Sequence, residues 1–211
     1  MQLEDDVSCL YADDDLLVLD KPSGLLCVPC RGADKQDCLS ARAQQRWPGA
    51  LIVHRLDQAT SGLVLMARSP AVQRQLGDAF AARQVHKCYQ AVVQGCLAPP
   101  AEGWGTIDRP IAADWERRPL RVIDEAAGKP SQTEWRVLQS DATAGTTHVE
   151  MQPITGRTHQ LRVHLASIGH AILGDALYAD AATQARAPRL LLHATRLAFT
   201  HPRTGETVQF V

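Results

Sequence analysis

The segment His54-Arg-Leu-Asp-Gln-Ala-Thr-Ser-Gly-Leu-Val-Leu-Met-Ala67 sets His54, Arg55 and Asp57 between two apolar runs, Leu51–Val53 and Leu63–Ala67. That flanking puts Asp57 on a short loop entering a core. A carboxylate there is costly unless a cation or hydrogen bonds compensate it. One that is held can act as a nucleophile or as a general base. Composition alone equally admits Asp57 as a turn cap or as the partner of Arg55. A second segment, Pro153-Ile-Thr-Gly-Arg-Thr-His-Gln-Leu-Arg-Val-His164, clusters Arg157, His159 and Arg162 at a loop that enters a helix. Such a cluster can grip phosphate or neutralise a carboxylate, and a solvated polar helix start has the same composition. Tyr89, in Lys87-Cys-Tyr-Gln90, has a ring that can stack on a base and a hydroxyl that can pass a proton, though a lone strand tyrosine also suits a core.

Other chemistries lack support. The chain holds no GxxxxGK[ST], GxGxxG, GxSxG or HExxH pattern, so nucleoside triphosphate, dinucleotide and zinc-hydrolase sites are not indicated. Cys27-Val-Pro-Cys30 has metal-type spacing, but no second pair follows, and Pro29 and Gly32 mark a loop. No metal site is expected from it.

Positioning these residues takes a mixed set of elements. Val7–Tyr11 and Leu16–Asp20 read as a hairpin with an acidic turn, followed by a Lys21–Gly24 turn. Asp37–Trp47 reads as a helix stopped by Pro48-Gly49, and Leu63–Ala67 as a buried strand. Ser69-Pro70 opens a helix with Val72, Leu76 and Phe80 on one face. Lys87–Gly95 reads as a strand, and 97–120 as irregular. Thr133–Leu138 and Thr146–Met151 read as paired strands. Thr158–Ile168 reads as a helix with Leu161, Leu165 and Ile168 on one face and Gly169 as its stop. Leu190–Phe199 and Thr207–Val211 read as strands around the Pro202–Gly205 turn. This order is α+β: a mixed, mainly antiparallel sheet with flanking helices and loops.

The 211 residues are 45% hydrophobic and 21% charged, which excludes disorder, collagen and coiled coil. One domain over 1–211 is expected, with residues 1–7 a flexible acidic N-terminus. No apolar run reaches the roughly 20 residues of a membrane helix, and no signal peptide is evident. A cytoplasmic monomer is expected. The net charge of −1 hides an asymmetry: residues 1–20 hold seven acids and no Lys or Arg, whereas 21–211 hold 22 basic against 16 acidic residues. Phosphate binding belongs on that basic remainder, and the acidic N-terminus should point away from an anionic partner.

At this point the residues match a family. HRLDQATSGLVLMA resembles the HRLDxxTSGLxxxA signature of the RluA family of RNA pseudouridine synthases. LLVLDKPSGLLCVP resembles that family's KPxG strand and turn, and KCYQAVVQG its KxYxAxVxG strand. GKPSQTEWRVL, PITGRTHQLRVHLASIGHAILGDALY and APRLLLHATRLAFTHP are similar to its later blocks, in the same order. The resemblance covers 8–211. It departs at Cys27 and Cys30, where small residues around a proline are expected. Many relatives carry an S4 RNA-binding domain before the catalytic one; with the KPSG turn at residue 21, none is expected here. ADWERRPLRV, GKPSQTEW and APRLLLHA are similar to a subgroup that modifies 23S ribosomal RNA and the anticodon stem-loop of certain tRNAs.

The resemblance implies an isomerase that cuts the N1–C1′ bond of a uridine, turns the base and rejoins it through C5, with no cofactor. It implies Asp57, Tyr89 and Arg157 as the catalytic set: Asp57 acting on the nucleoside, Tyr89 stacking on the base, Arg157 holding the carboxylate ionised. Arg55 would fill the gap left by a flipped base, and Leu161 would pack in the site. His54, Lys21, His159 and Arg162 complete the RNA-facing set. Two rivals stay open from the residues alone. One is an RNA-binding module without catalysis. The other is a hydrolase pairing Asp57 with a second carboxylate, although no matched block supplies one near Asp57.

Overall fold

A computed structural model describes residues 7–30, 32 and 36–211. The described chain forms two compact units, Met1–His86 with Ala194–Val211, and Lys87–His193. The flexible N-terminus expected over 1–7 falls mainly outside the described residues, and Val7 itself is buried.

In the first unit, alternating apolar residues build an antiparallel sheet. β1 (Ser8–Ala12) and β2 (Leu16–Lys21) form the expected hairpin. Its turn is set by Asp13, whose carboxylate accepts the backbone N–H groups of Asp15 and Leu16, both at 2.8 Å. β2 runs antiparallel to β4 (Ser61–Ala67), from Leu16 opposite Ala67 to Lys21 opposite Gly62. β3 (Leu51–Ile52) also pairs with β4. β11 (Leu192–Thr200) lies beside β4, and β12 (Thr207–Phe210) closes antiparallel on β11. Every residue of β4 is buried, as a continuous apolar run requires of a central strand. Leu16, Val18, Leu63, Leu65, Leu197 and Phe199 share one buried cluster.

Helix α2 (Pro70–Ala81) covers that cluster with Leu76, and Val72 and Phe80 pack at its margin. Its start follows the expected rule: Ser69 Oγ accepts the Val72 N–H at 3.3 Å, with Pro70 first in the helix. α1 (Leu39–Arg46) buries Leu39 and Ala43. Gly62 opens β4 at φ +109°, and a Cβ there would lie 2.3 Å from the Ala194 carbonyl oxygen. Only glycine lets the start of β4, just after the loop that bears Asp57, run so close to β11.

In the second unit, β5 (His86–Gln94), β10 (Thr146–Pro153), β9 (Gln132–Asp141) and β6 (Gly105–Asp108) are antiparallel neighbours in that order. β7 (Ile111–Ala113) and β8 (Arg121–Ile123) form a separate hairpin. The stretch 97–120, expected to be irregular, therefore holds β6 and β7. Each is too short to show a period, and its partner strand comes from elsewhere in the chain. α3 (Gln160–Ser167) starts two residues later than expected. It is not amphipathic, because Gln160 through Leu165 are all buried. α4 (Ala181–Gln184), unforeseen, is one turn capped by Asp180, which accepts the Thr183 N–H at 2.7 Å. The class is α+β, as expected. No helix among the described residues is long and apolar enough to cross a membrane.

Candidate active site

Residues 54–60 join β3 to β4, and hydrogen bonds fix them almost residue by residue. His54 Nε2 accepts the Leu65 N–H at 2.9 Å, and its ring stacks on Phe80 at 4.7 Å. Leu56 is held by the buried Cys27 thiol, which accepts the Leu56 N–H at 3.3 Å and donates to its carbonyl at 3.4 Å. The Asp57 carbonyl accepts the Thr60 N–H at 3.1 Å. The Gln58 carbonyl accepts the Gly24 N–H at 2.8 Å, and its side-chain amide donates back to the Gly24 carbonyl at 3.0 Å. Ser23 Oγ donates to the Ala59 carbonyl at 2.6 Å. The Pro22–Gly24 turn is thus the template on which the loop is laid.

Lys21 completes the clamp. It is the largest fully buried side chain, and its ammonium donates to the carbonyls of Pro22, Leu25 and Gln58 at 2.9, 2.8 and 3.1 Å. Burial pulls its pKa down from 10.5 to about 8, partly offset by the nearby carboxylates of Asp57 and Asp20. Burial likewise pushes the Cys27 thiol up, which keeps it protonated and able to donate. Within this frame Asp57 is half-buried and Arg55 exposed. A carboxylate at a tied, partly dry position on the same loop as an exposed cation suits proton or nucleophile chemistry on a substrate that arrives from solvent.

The second unit assembles its candidates around one amide. Gln160 is buried. Its Oε1 accepts the Thr155 hydroxyl at 2.7 Å and the Arg157 N–H at 3.0 Å. Its Nε2 donates to the Gln132 carbonyl at 2.9 Å and the Thr133 hydroxyl at 3.0 Å. His164, fully buried, lies 2.9 Å from both Thr133 Oγ1 and the Arg109 carbonyl, and burial lowers its pKa, so it is the neutral tautomer that donates from Nε2. His159 begins α3 in the left-handed region, φ +58°. A residue with a Cβ pays roughly 1–2 kcal/mol there. Its Nδ1 meets the Tyr178 hydroxyl at 2.6 Å. Such strain in a loop between candidate residues is a feature of functional sites. Arg157 is exposed, with Nε donating to the Pro130 carbonyl at 3.3 Å. Tyr89 is half-buried on β5, opposite Met151 of β10.

The expected site residues thus divide. Lys21, His54, Arg55 and Asp57 gather in the first unit around one loop. Arg157, His159, Leu161 and Arg162 gather at the start of α3 in the second, with Tyr89 on β5. Three of them are tied into the fold itself. Lys21 spends all three of its N–H groups on carbonyls. His54 spends Nε2 on a strand N–H. Arg162 is buried in a paired bond to Asp175, Nε to Oδ2 at 2.8 Å and Nη2 to Oδ1 at 2.5 Å, with its guanidinium over the Tyr178 ring. Each satisfies a buried polar need of the fold. Cys27, which the sequence reading weighed only for metal or redox chemistry, and Gln160, which it did not single out, are the residues that aim the two loops. The sequence around Gln160 was no signal, since a polar side chain inside a helix start looks the same whether buried or solvated.

Comparison with known proteins agrees with these elements. A family model described as RNA pseudouridylate synthase matches residues 15–167 and so runs across both units. The chain is 45% identical over 201 residues to the dual-specificity RNA pseudouridine synthase RluA of Escherichia coli, covering 95% of this chain and 90% of that one. It is 40% identical over 208 residues to the RluA of Haemophilus influenzae, covering 99% and 93%. Among solved structures it is similar to human RNA pseudouridylate synthase domain containing 1, with TM-score 0.80, 31% identity, and 99% of this chain and 84% of that one covered. With the strand order, the HRLD loop and the matched length all in agreement, the chain belongs to the RluA family of RNA pseudouridine synthases, and its fold is that family's single catalytic domain.

Proposed function

We propose that this enzyme isomerises uridines in structured stem-loops, taking both 23S ribosomal RNA and the anticodon stem-loop of tRNA as substrates. The reading is supported by the similarity to relatives named as dual-specificity synthases and by the loop geometry around Asp57. A stacked uridine must leave its helix at a cost of a few kcal/mol. Arg55, exposed on an otherwise tied loop, fills the vacated space, and its planar guanidinium suits stacking among bases. Asp57 then acts on the nucleoside, as nucleophile or by taking a sugar proton. On either route the N1–C1′ bond breaks, a C5–C1′ bond forms, the C5 hydrogen leaves as a proton and N1 gains one. Tyr89 stacks on the turning base and receives the C5 proton. Arg157 completes the catalytic set. Leu161 packs against the base, and His159 contacts the backbone.

The observation that carries this reading is the clamp on residues 54–60, which fixes the main chain on both sides of Asp57. The test is release of C5 tritium from labelled 23S rRNA and tRNA transcripts by the wild type and Asp57→Asn. Release from both RNAs, reduced at least a thousandfold in the variant with RNA binding kept, is expected. Turnover retained in Asp57→Asn would overturn the role of Asp57, and release from one RNA class alone would remove the dual specificity.

A further inference from the structure

The β7–β8 hairpin carries a feature that neither the clamp nor the Gln160 network uses. Of the four tryptophans, only Trp115 at the hairpin tip is exposed, at 71%. Arg118 lies over its ring, 4.3 Å from the centroid. The tip is built rather than loose. Asp114 accepts the Arg117 N–H at 3.0 Å and its guanidinium at 2.7 Å. The Asp114 N–H donates to the Leu120 carbonyl at 3.1 Å, and the Leu120 N–H to the Arg117 carbonyl at 3.0 Å. An indole is therefore held open to solvent by a closed turn.

The hairpin is also anchored to the loop that carries Arg157. The Arg121 N–H donates to the Tyr178 hydroxyl at 2.9 Å, and that hydroxyl meets His159 Nδ1 at 2.6 Å. With the hydroxyl accepting from Arg121, its own hydrogen goes to His159. One tyrosine thus ties β8 to the strained residue that starts α3, and Arg162 covers its ring from the buried side.

We infer that the tip of the β7–β8 hairpin is an RNA-docking surface, on which Trp115 stacks against an unpaired base of the substrate loop while Arg118 covers the opposite side of the contact. This rests on the RNA substrate proposed above and adds to it a residue that selects single-stranded loops. The chemistry favours stacking over simple charge attraction. Arg117 is spent on Asp114, and Glu116 adds a negative charge to the same turn, so the tip is no bare cationic grip; its distinctive surface is the indole. Every base has a π-face, and a fixed aromatic ring with an adjacent guanidinium binds unstacked bases without needing a particular sequence. A paired helix offers no such face. A surface of this kind would let one enzyme accept stem-loops of unlike sequence.

The experiment is fluorescence anisotropy of a labelled anticodon stem-loop, and of the same sequence annealed to its full complement, with wild type, Trp115→Ala and Trp115→Phe. Trp115 takes no part in the buried clusters, so the variants are expected to keep the wild-type Tm. The stem-loop Kd should rise about tenfold or more in Trp115→Ala and return to within about threefold of wild type in Trp115→Phe. Binding to the duplex should be the same in all three. A stem-loop Kd within twofold of wild type in Trp115→Ala overturns the inference, as does an equal loss on duplex and stem-loop. Binding is read without turnover. An enzyme that binds but releases no tritium therefore sinks the proposed function and leaves this surface standing.

Discussion

Two loops carry the candidate residues, and they are fixed in opposite ways. The Asp57 loop is held through its backbone: the N–H or carbonyl groups of Leu56, Asp57, Gln58 and Ala59 all find partners in Lys21, Ser23, Gly24, Cys27 and Thr60. The Arg157 loop leans most on one side chain, the Gln160 amide, with all of its hydrogen-bonding capacity used, and the Tyr178 hydroxyl and the Pro130 carbonyl add single ties. Backbone fixation spreads the load over many partners. Fixation through one buried amide concentrates it. The first loop should lose its geometry by degrees, and the second all at once.

The largest effect is therefore expected at Gln160. Gln160→Leu removes four bonds and leaves the Arg157 N–H, the Gln132 carbonyl and two threonine hydroxyls without that partner, for a loss of about 3–4 kcal/mol. Urea unfolding measures it, and a loss below about 1 kcal/mol would mean that the load is shared after all.

Lys21 gives the next test, by pH. Its ordinary pKa of 10.5 falls to about 8 in the fold because burial disfavours the charge. Above pH 8 the ammonium becomes an amine with two N–H groups for three carbonyls, so the Asp57 loop loosens and turnover declines. Stability moves the other way. Between about 8 and 10.5 the unfolded chain binds more protons at this residue, so its contribution to stability grows with pH. A fall in kcat with a midpoint near pH 8, while circular dichroism stays folded, is the expected result. A flat profile to pH 9.5 would detach Lys21 from the loop.

Cys27→Ala should show the smallest change, roughly 1–2 kcal/mol, because one of several ties to the loop is cut. Cys27→Ser, which keeps a donor and an acceptor, should recover more than half of it. If serine proves no better than alanine, the thiol acts through volume rather than through the two bonds to Leu56.

Part of this was legible in the residues. The run Leu63–Ala67 announces a central strand because burial on both faces leaves no room for polar alternation, and Ser69-Pro70 announces α2 by cap chemistry. The position of Asp57 on a loop at the core follows from the apolar runs on both sides. The roles of Lys21, His54 and Arg162 were not legible. Polar residue type suggests solvent or an anionic partner, whereas Lys21 and Arg162 are buried, His54 is half-buried, and all three are satisfied by groups elsewhere along the chain or by backbone groups that carry no sequence signature. The strands of 97–123 were hidden for a related reason. Three or four residues give no period, and what makes them strands is a partner such as Trp135 opposite Gly105. α3 misled because a helix buried on all sides has no polar face to mark its period.

The split of the first unit, with Ala194–Val211 returning to complete residues from the N-terminal part, sets an order in time. During translation, residues 87–193 emerge as one continuous piece and can fold when they leave the ribosome. The N-terminal part cannot. β4 waits with one long edge open, and the cluster of Leu63 and Leu65 waits without Leu197 and Phe199, until more than a hundred further residues have been made. The nascent enzyme thus holds its Asp57 loop ready before the sheet beneath it is whole, and the last strands delivered are the ones that seal it.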